Sequence, residues 1–157
     1  MDELRPPTLL ALPSYLAGHV ARIGRRELAG ALEKRDLRLP LFAVLAGLSD
    51  FGPLAQHALA DRLGLNRSHL VGYLDELERR DLVGRERDPD DRRRQRVTLT
   101  EAGKALTGEL KREASRSQDV FLAELSAKER ETLVSLLRRV VVADDRAQAG
   151  TGQFRSR

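Results

Sequence analysis

The chain has 157 residues, of which 41% are hydrophobic and 33% are charged, so we expect it to fold around a core rather than to be disordered. Its formal net charge of +4 permits a nucleic-acid partner without requiring one. The complete absence of cysteine excludes disulfide bonds and a thiol-based redox switch.

Two helical segments are expected in the first third of the chain. Residues 9–36 carry an apolar stripe at helical spacing, and Pro13 suits the first turn of a helix. The stretch LFAVLAGL, residues 41–48, is apolar nearly all round and therefore predicts a short buried helix. Gly52 and Pro53 end this second helical segment.

The next segment predicts two helices that meet at a tight turn. The first is expected over residues 54–63, followed by Gly64, whose backbone tolerates the left-handed conformation. Asn66 is a good N-cap for the second, which should run to about Arg80. Five apolar residues are spaced to form one shared seam across the corner: Leu59, Leu63, Leu65, Leu70 and Tyr73. This pattern indicates a helix-turn-helix, whose second helix enters the DNA major groove, with an ordinary helical hairpin as the alternative.

Two short alternating runs around a charged block predict a β-hairpin over residues 82–99. Within the block, Asp88-Pro89-Asp90 is a turn sequence, and Asp91 is expected to pair with a neighbouring arginine and hold the loop's shape. Three arginines follow at the tip: Arg92, Arg93 and Arg94. Alone, such a charge-balanced loop would be a solvated turn. Directly after a helix-turn-helix it predicts a wing, whose arginines fit the negative potential of the minor groove.

Helical signals return after the hairpin. Thr100 can cap a long helix that is expected from Glu101 towards Leu125. Ser126 and Glu129 have the spacing of a capping box, which predicts the start of a last helix. The polar residues 146–157 are expected to form a disordered tail.

The segment from Asp88 to Gly103, with its D-x-x-D-R-R…V-x-L-T-x-x-G motif, is similar to that of the multiple antibiotic resistance regulator (MarR) family. The resemblance is close over residues 41–110 and covers nearly the whole chain in helix order. It implies one mainly α domain over residues 1–157 with a small β-hairpin wing. In this domain a winged helix-turn-helix (41–99) lies between dimerisation helices (9–36 and 101–145).

The resemblance also implies a function. Members of this family are homodimeric transcription regulators, usually repressors, that bind double-stranded DNA at a pseudo-palindromic operator. Many release DNA when a small aromatic molecule binds between the dimerisation helices and the winged helices. We therefore expect three partners for this chain: DNA, a second copy of itself and a small aromatic effector.

The resemblance places the DNA contacts in three segments. Gln56 matches a phosphate-contacting position at the start of a helix. Arg93 matches the wing arginine that enters the minor groove, and Asp91 matches the acid that shapes the wing. The other DNA-contacting positions are Arg67, Ser68, His69, Val71 and Gly72 on the recognition helix, and Arg92 and Arg94 on the wing. Val71 and Gly72 replace a common Thr-Arg pair, which leaves base recognition to Arg67 and His69.

An effector pocket is a further expectation. Tyr15 and His19 lie one helical turn apart, and a phenol and an imidazole can both hydrogen-bond a small carboxylate. Together with Phe42 and Phe51 they would line such a pocket. Packing at a dimer interface is the other interpretation of these residues.

Two other classes of function are weighed against a DNA-binding regulator. A winged-helix protein-interaction module without DNA binding is favoured by Val71, by Gly72 and by the acids of the recognition helix, but the three wing arginines argue against it. An enzyme is not expected, because no nucleophile–base pair or phosphate-binding loop is present, and the histidines lack the spacing of metal ligands. No metal or cofactor is therefore expected. No apolar run approaches the roughly 18 residues of a membrane span and no signal peptide is apparent, so we expect a cytoplasmic protein.

Overall fold

The computed structural model describes residues 4–91 and 95–150, and within them the chain forms seven α-helices and three β-strands. The helices are α1 (Pro7–Leu10), α2 (Pro13–Glu33), α3 (Leu39–Phe51), α4 (Gln56–Leu63), α5 (Arg67–Arg79), α6 (Glu101–Phe121) and α7 (Ala127–Gly150). The strands are β1 (Leu54–Ala55), β2 (Val83–Arg87) and β3 (Gln95–Leu99). The chain divides into two compact units, one ending at Phe121 and one beginning at Leu122.

Side-chain caps start the helices where the sequence indicates. Asn66 accepts a hydrogen bond from the Ser68 backbone N–H at 2.9 Å, and the Thr100 hydroxyl accepts one from the Gly103 N–H at 2.9 Å. The capping box is present as well, because a Glu129 carboxylate oxygen accepts from the Ser126 N–H at 2.8 Å. Each of these bonds satisfies a backbone donor that lacks a partner within its own helix. The three predicted caps are confirmed.

The core lies where α3 packs against the helix-turn-helix and the sheet. Helix α3 contributes its nearly continuous apolar run, and α4 and α5 contribute the seam between them. The largest fully buried side chains are Leu32, Leu41, Leu45, Leu59, Leu70, Leu74, Leu77, Leu110, Val44, Val97 and Thr107. Each buried leucine contributes about 1.5–3 kcal/mol, so this cluster holds the two helices of the corner in a fixed relation.

The sheet has the strand order β1-β3-β2, with all neighbours antiparallel. Strands β2 and β3 form the predicted hairpin, and Val97 is its buried central residue. The prediction that Leu54 and Ala55 begin a helix is wrong, because they pair with Val97 and Arg96 of β3. The Arg96 side chain also donates to the Pro53 carbonyl oxygen at 3.1 Å. This pairing depends on a strand more than forty residues away, which local helical periodicity cannot reveal.

Several predicted boundaries need correction. The first helical segment is interrupted before Pro13 and ends at Glu33 rather than at residue 36. Helix α6 ends at Phe121 instead of Leu125. The tail expected from residue 146 is helical as far as Gly150, because its alanines, arginine and glutamine favour a helix and no proline interrupts them. Residues 151–157 lie outside the described part of the chain.

Candidate nucleic-acid interface

The corner between α4 and α5 has the geometry of a tight turn. Gly64 adopts the left-handed conformation with φ 62° and ψ 30°, and its N–H donates to the Asp61 carbonyl oxygen. The Leu65 N–H donates to the Ala60 carbonyl oxygen at 3.0 Å. All five predicted seam residues are buried or pack against the core, which confirms the seam. Helix α5 is thereby held rigidly with its first turn at the surface.

The first two turns of α5 present an exposed, chemically mixed surface. All five predicted contact residues on this helix are exposed: Arg67, Ser68, His69, Val71 and Gly72. The Ser68 hydroxyl donates to Asn66 Oδ1 at 2.6 Å, so its lone pairs stay available as acceptors. Val71 is 40% exposed and offers an apolar contact of the kind that fits a thymine methyl group. Gly72 has open space around its Cα, since an added methyl group would meet no atom within 4 Å.

An acidic residue faces the start of this surface. Asp61 lies in α4, and its Oδ1 atom is 3.4 Å from Nη2 of Arg67, the first residue of α5. Both side chains are exposed, at 48% for Asp61 and 68% for Arg67. Sequence reasoning did not find this pair, because the two residues lie in different helices and are brought together by the turn.

Behind this surface, α5 is tied to the rest of the fold by ion pairs. Arg85 of β2 bonds both Asp75, at 2.8 Å, and Glu78. Glu76 pairs with Arg38 at 2.5 Å. The acids of α5 therefore anchor the helix to the wing and to the start of α3.

Contacts at the C-terminal end of α5 reach a second corner. The guanidinium of Arg80 donates to the carbonyl oxygen of Asp36 at 2.7 Å and to that of Arg35 at 3.3 Å. Asp36 lies in the turn after α2 and has a positive φ of 52°. Arg80 thus bonds two carbonyl groups of the turn that follows α2. The recognition helix is linked in this way to the long helix that precedes the core.

The structure describes the wing up to Asp91 and again from Gln95. Asp88 Oδ1 accepts from the Asp90 N–H at 2.9 Å, which confirms the predicted turn at Asp88-Pro89-Asp90. Asp91 is half-buried and takes part in interactions with its surroundings. Three predicted DNA contacts, Arg92, Arg93 and Arg94, lie outside the described residues, so their roles in the minor groove and at phosphates stay predictions.

The start of α4 carries the other predicted phosphate contact. Gln56 is the first residue of the helix and is half-buried. Ala55 occupies the N-cap position and makes no side-chain capping bond. Backbone N–H groups in the first turn of a helix favour anions, so this end is chemically suited to a phosphate.

The four predicted effector residues fall into two groups. The rings of Tyr15 and His19 are 4.4 Å apart between centroids, and Arg22 Nη2 lies 3.1 Å from His19 Nδ1. Phe42 is half-buried against the core. Phe51 is exposed, and the guanidinium of Arg62 lies over its ring at 4.5 Å from the centroid. Among the described residues no ring contact joins one group to the other.

The imidazole of His19 has an altered proton affinity. Burial lowers the pKa of His19, and the positive charges of Arg5 and Arg22 lower it further. The neutral ring is therefore favoured, and its Nδ1 atom can accept a hydrogen bond from Arg22. Together Tyr15, His19 and Arg22 present a phenol, an imidazole and a guanidinium within one segment of α2.

A separate groove lies between α2 and α6. Arg35, in the turn after α2, joins this segment to α6, because its guanidinium contacts Glu109 at 2.8 Å and Glu113 at 3.0 Å. The groove has a volume of about 370 Å³ and is lined by Arg26, Glu27, Gly30, Ala31, Lys34, Glu113, Arg116, Ser117 and Val120. None of the four predicted effector residues belongs to this lining.

Two features are missing from residues 4–91 and 95–150. Their histidine, aspartate and glutamate side chains form no group of three or more that is able to hold a metal ion. Their helices also lack the length and apolar character required to cross a membrane.

Known proteins resemble both the sequence and the fold. The model of the MarR family matches residues 37–94. The HTH-type transcriptional repressor NicR of Pseudomonas putida is 33% identical over 106 residues, which cover 68% of this chain and 67% of NicR. The residues that the family model matches include the helix-turn-helix and the first wing strand, β2.

Solved structures extend the similarity to most of the chain. The transcriptional repressor CouR, bound to a 23-mer DNA duplex, superposes with a TM-score of 0.77 at 30% identity, covering 89% of this chain and 99% of CouR. BpsR of Bordetella bronchiseptica, whose DNA binding is regulated by 6-hydroxynicotinic acid, superposes with a TM-score of 0.74 at 25% identity, covering 87% of this chain and 98% of BpsR. On the evidence of its helix-turn-helix, its wing and these relatives, the chain belongs to the MarR family of winged helix-turn-helix transcription regulators.

Proposed function

We propose that this regulator is a cytoplasmic repressor that binds a pseudo-palindromic DNA operator as a homodimer. The observation that carries the proposal is the exposed start of α5, where Arg67, His69 and Val71 project from a helix whose other face is locked into the core. The similarity to NicR, a transcriptional repressor, supports the direction of regulation. The similarity to CouR in its DNA-bound form supports double-stranded DNA as the partner.

Each residue type on this surface suits a different part of the duplex. An arginine such as Arg67 can bond O6 and N7 of guanine, while Val71 can contact a thymine methyl group. Gln56 and the wing arginines suit phosphates, and Arg93 suits the narrow minor groove. Because Gly72 offers no side chain, we assign base recognition to Arg67 and His69.

The homodimer is supported by apolar side chains that the single chain leaves exposed. Of the twelve large apolar side chains that the described residues expose, helix α7 carries six: Val134, Leu136, Leu137, Val140, Val141 and Val142. A helix with so many exposed large apolar residues favours burial against another surface. We propose a second copy of the chain as that surface. Two-fold symmetry would then place the operator half-sites about 10 bp apart, or a multiple of that distance.

The effector site is proposed at Tyr15, His19 and Arg22 of α2, with small aromatic carboxylates as the ligand class. A guanidinium and a phenol can bind a carboxylate, and neighbouring rings can stack on an aromatic ligand. Regulation of BpsR by 6-hydroxynicotinic acid supports this class of effector. Phe42 and Phe51, the other two predicted residues, are proposed to complete the apolar wall.

Fluorescence anisotropy and genomic selection test the DNA-binding function. The wild-type protein should bind a random duplex at low salt, and binding should weaken steeply as salt rises because phosphate contacts release counterions. Selection from fragmented genomic DNA should return a pseudo-palindrome. Binding that does not depend on salt would contradict the proposal. An absence of binding at low salt would favour the alternative function, a protein-interaction module, for which Val71 and Gly72 are the supporting residues.

Calorimetry with aromatic hydroxy acids tests the effector site. His19→Ala should weaken binding of the active acid at least tenfold and should prevent that acid from releasing DNA. Lys34→Ala is the matched control, because it removes a cation from the groove between α2 and α6 rather than from the Tyr15–His19 segment. If only Lys34→Ala weakens binding, the effector occupies the groove and the proposed site is wrong.

A further inference from the structure

We propose that Asp61 restrains the base-recognising Arg67. The Asp61 carboxylate thereby lowers the protein's affinity for DNA of arbitrary sequence. The proposal rests on the proposed DNA-binding function. It assigns to an acidic residue of α4 a role in the specificity of α5. The role follows from the position of Asp61, its exposure and the distribution of the other acids around the recognition helix.

The turn places the two side chains next to each other on an exposed face. Asp61 is two residues from the end of α4, and Arg67 is the first residue of α5. The left-handed Gly64 reverses the chain between them and brings Asp61 Oδ1 to 3.4 Å from Arg67 Nη2. In the described part of the chain, Arg67 has no other ion-pair partner. The guanidinium is therefore held towards α4 before DNA arrives.

The acids of the recognition helix itself are engaged elsewhere. Asp75 and Glu78 bond Arg85, and Glu76 bonds Arg38. Asp61 differs from these acids because its partner is a predicted base-contacting residue. Any contact of Arg67 with DNA must compete with the Asp61 carboxylate, and that carboxylate is then left facing the phosphates.

The competition depends on what Arg67 meets in the groove. Exposed ion pairs are weak, so a bidentate contact to guanine can replace the contact to Asp61. Where no guanine is present, no bidentate contact compensates for the loss of the ion pair between Arg67 and Asp61. Repulsion between Asp61 and the phosphates opposes binding at every sequence. The restraint should therefore lower affinity for random DNA more than affinity for the operator.

Asp61→Asn tests the restraint, because asparagine keeps the size of the side chain and removes its charge. Anisotropy should show random duplex bound about 3–10-fold more tightly at low salt, with a salt dependence steeper by about one counterion. The affinity of the variant for the genomic fragment that the wild type selects should increase less. The ratio of the affinity for this fragment to the affinity for random duplex should therefore fall. Glu33→Gln is the matched control, since it removes one exposed acid from the end of α2. Its affinities should stay within twofold of the wild type.

A double-mutant cycle shows whether Asp61 acts through Arg67. The gain from Asp61→Asn on random duplex should shrink to less than half when it is introduced into an Arg67→Ala background. A gain that stays undiminished in that background overturns the proposal, because Asp61 would then be only a repulsive charge. An Asp61→Asn protein without any gain overturns it as well. If the wild type and all variants fail to bind duplex at low salt, the proposed DNA-binding function is wrong, and the proposed restraint by Asp61 is then wrong as well.

Discussion

Gly103→Ala should destabilise the fold strongly, because α6 passes too close to another backbone to admit a side chain. A Cβ atom at Gly103 would lie 1.9 Å from the Leu82 carbonyl oxygen and 2.9 Å from its carbonyl carbon. That oxygen is held in place, since it accepts a hydrogen bond from the Thr100 N–H at 3.1 Å. The Leu82 N–H is also bonded, to the Leu77 carbonyl oxygen at 2.9 Å. Relief of the clash therefore requires movement of two backbone segments.

The size of the effect follows from two opposing terms. Overpacking a well-packed site costs typically about 1–3 kcal/mol, and a rigid backbone neighbour places Gly103→Ala at the upper end or beyond. Alanine offsets up to about 1 kcal/mol of this loss through its higher helix propensity. We therefore expect a net loss of at least about 2 kcal/mol. For a chain of this size that corresponds to a fall in Tm of roughly 4–8 °C.

Gly30→Ala provides the matched control for this measurement. Gly30 lies inside α2, and an added methyl group there would meet no atom within 4 Å. The same substitution should therefore raise Tm by a few degrees through helix propensity alone. Thermal unfolding followed by circular dichroism at one protein concentration compares the two variants. A Gly103→Ala protein with a Tm equal to or above that of the wild type would refute the reasoning about the Leu82 carbonyl.

Four further predictions concern Arg85 as an anchor of the recognition helix, the backbone of Asp81 and the His19 segment. Arg85→Met removes the shared partner of two acids on α5, and it should cost about 1 kcal/mol and speed hydrogen exchange in β2, measured by mass spectrometry; unchanged exchange would contradict this. Asp81 has a positive φ of 55°, so Asp81→Gly should raise the free energy of unfolding in urea by about 0.5–1 kcal/mol, whereas a loss would show that its left-handed backbone is not strained. Burial and the charges of Arg5 and Arg22 lower the pKa of His19 from 6.5, so the unfolded chain binds its proton first and stability falls as pH drops through about 6.5. Arg22→Ala should raise the pKa of His19 in an NMR titration, and a lower value would contradict the assigned cause.

Part of the interface was predictable because its signals are local. The side chains of the caps Asn66, Thr100 and Ser126 each accept a hydrogen bond from a backbone N–H within three residues, so residue type and spacing suffice to place them. The turn at Gly64 and the apolar seam around it likewise depend on residues close in the sequence. The exposed start of α5 follows from that seam, because the face opposite a buried stripe must meet solvent.

Other features required the tertiary structure because they join distant residues. Strand β1 exists through its pairing with β3, and the need for Gly103 arises from the carbonyl of Leu82, which belongs to a different element. The ion pair between Asp61 and Arg67 is set by the angle of the turn, which composition does not specify. Local sequence therefore determined which segments become helices and which face of α5 is exposed. The packing of the whole chain decided which charged side chains meet, since charge pairing depends on distances of a few ångströms between separate elements.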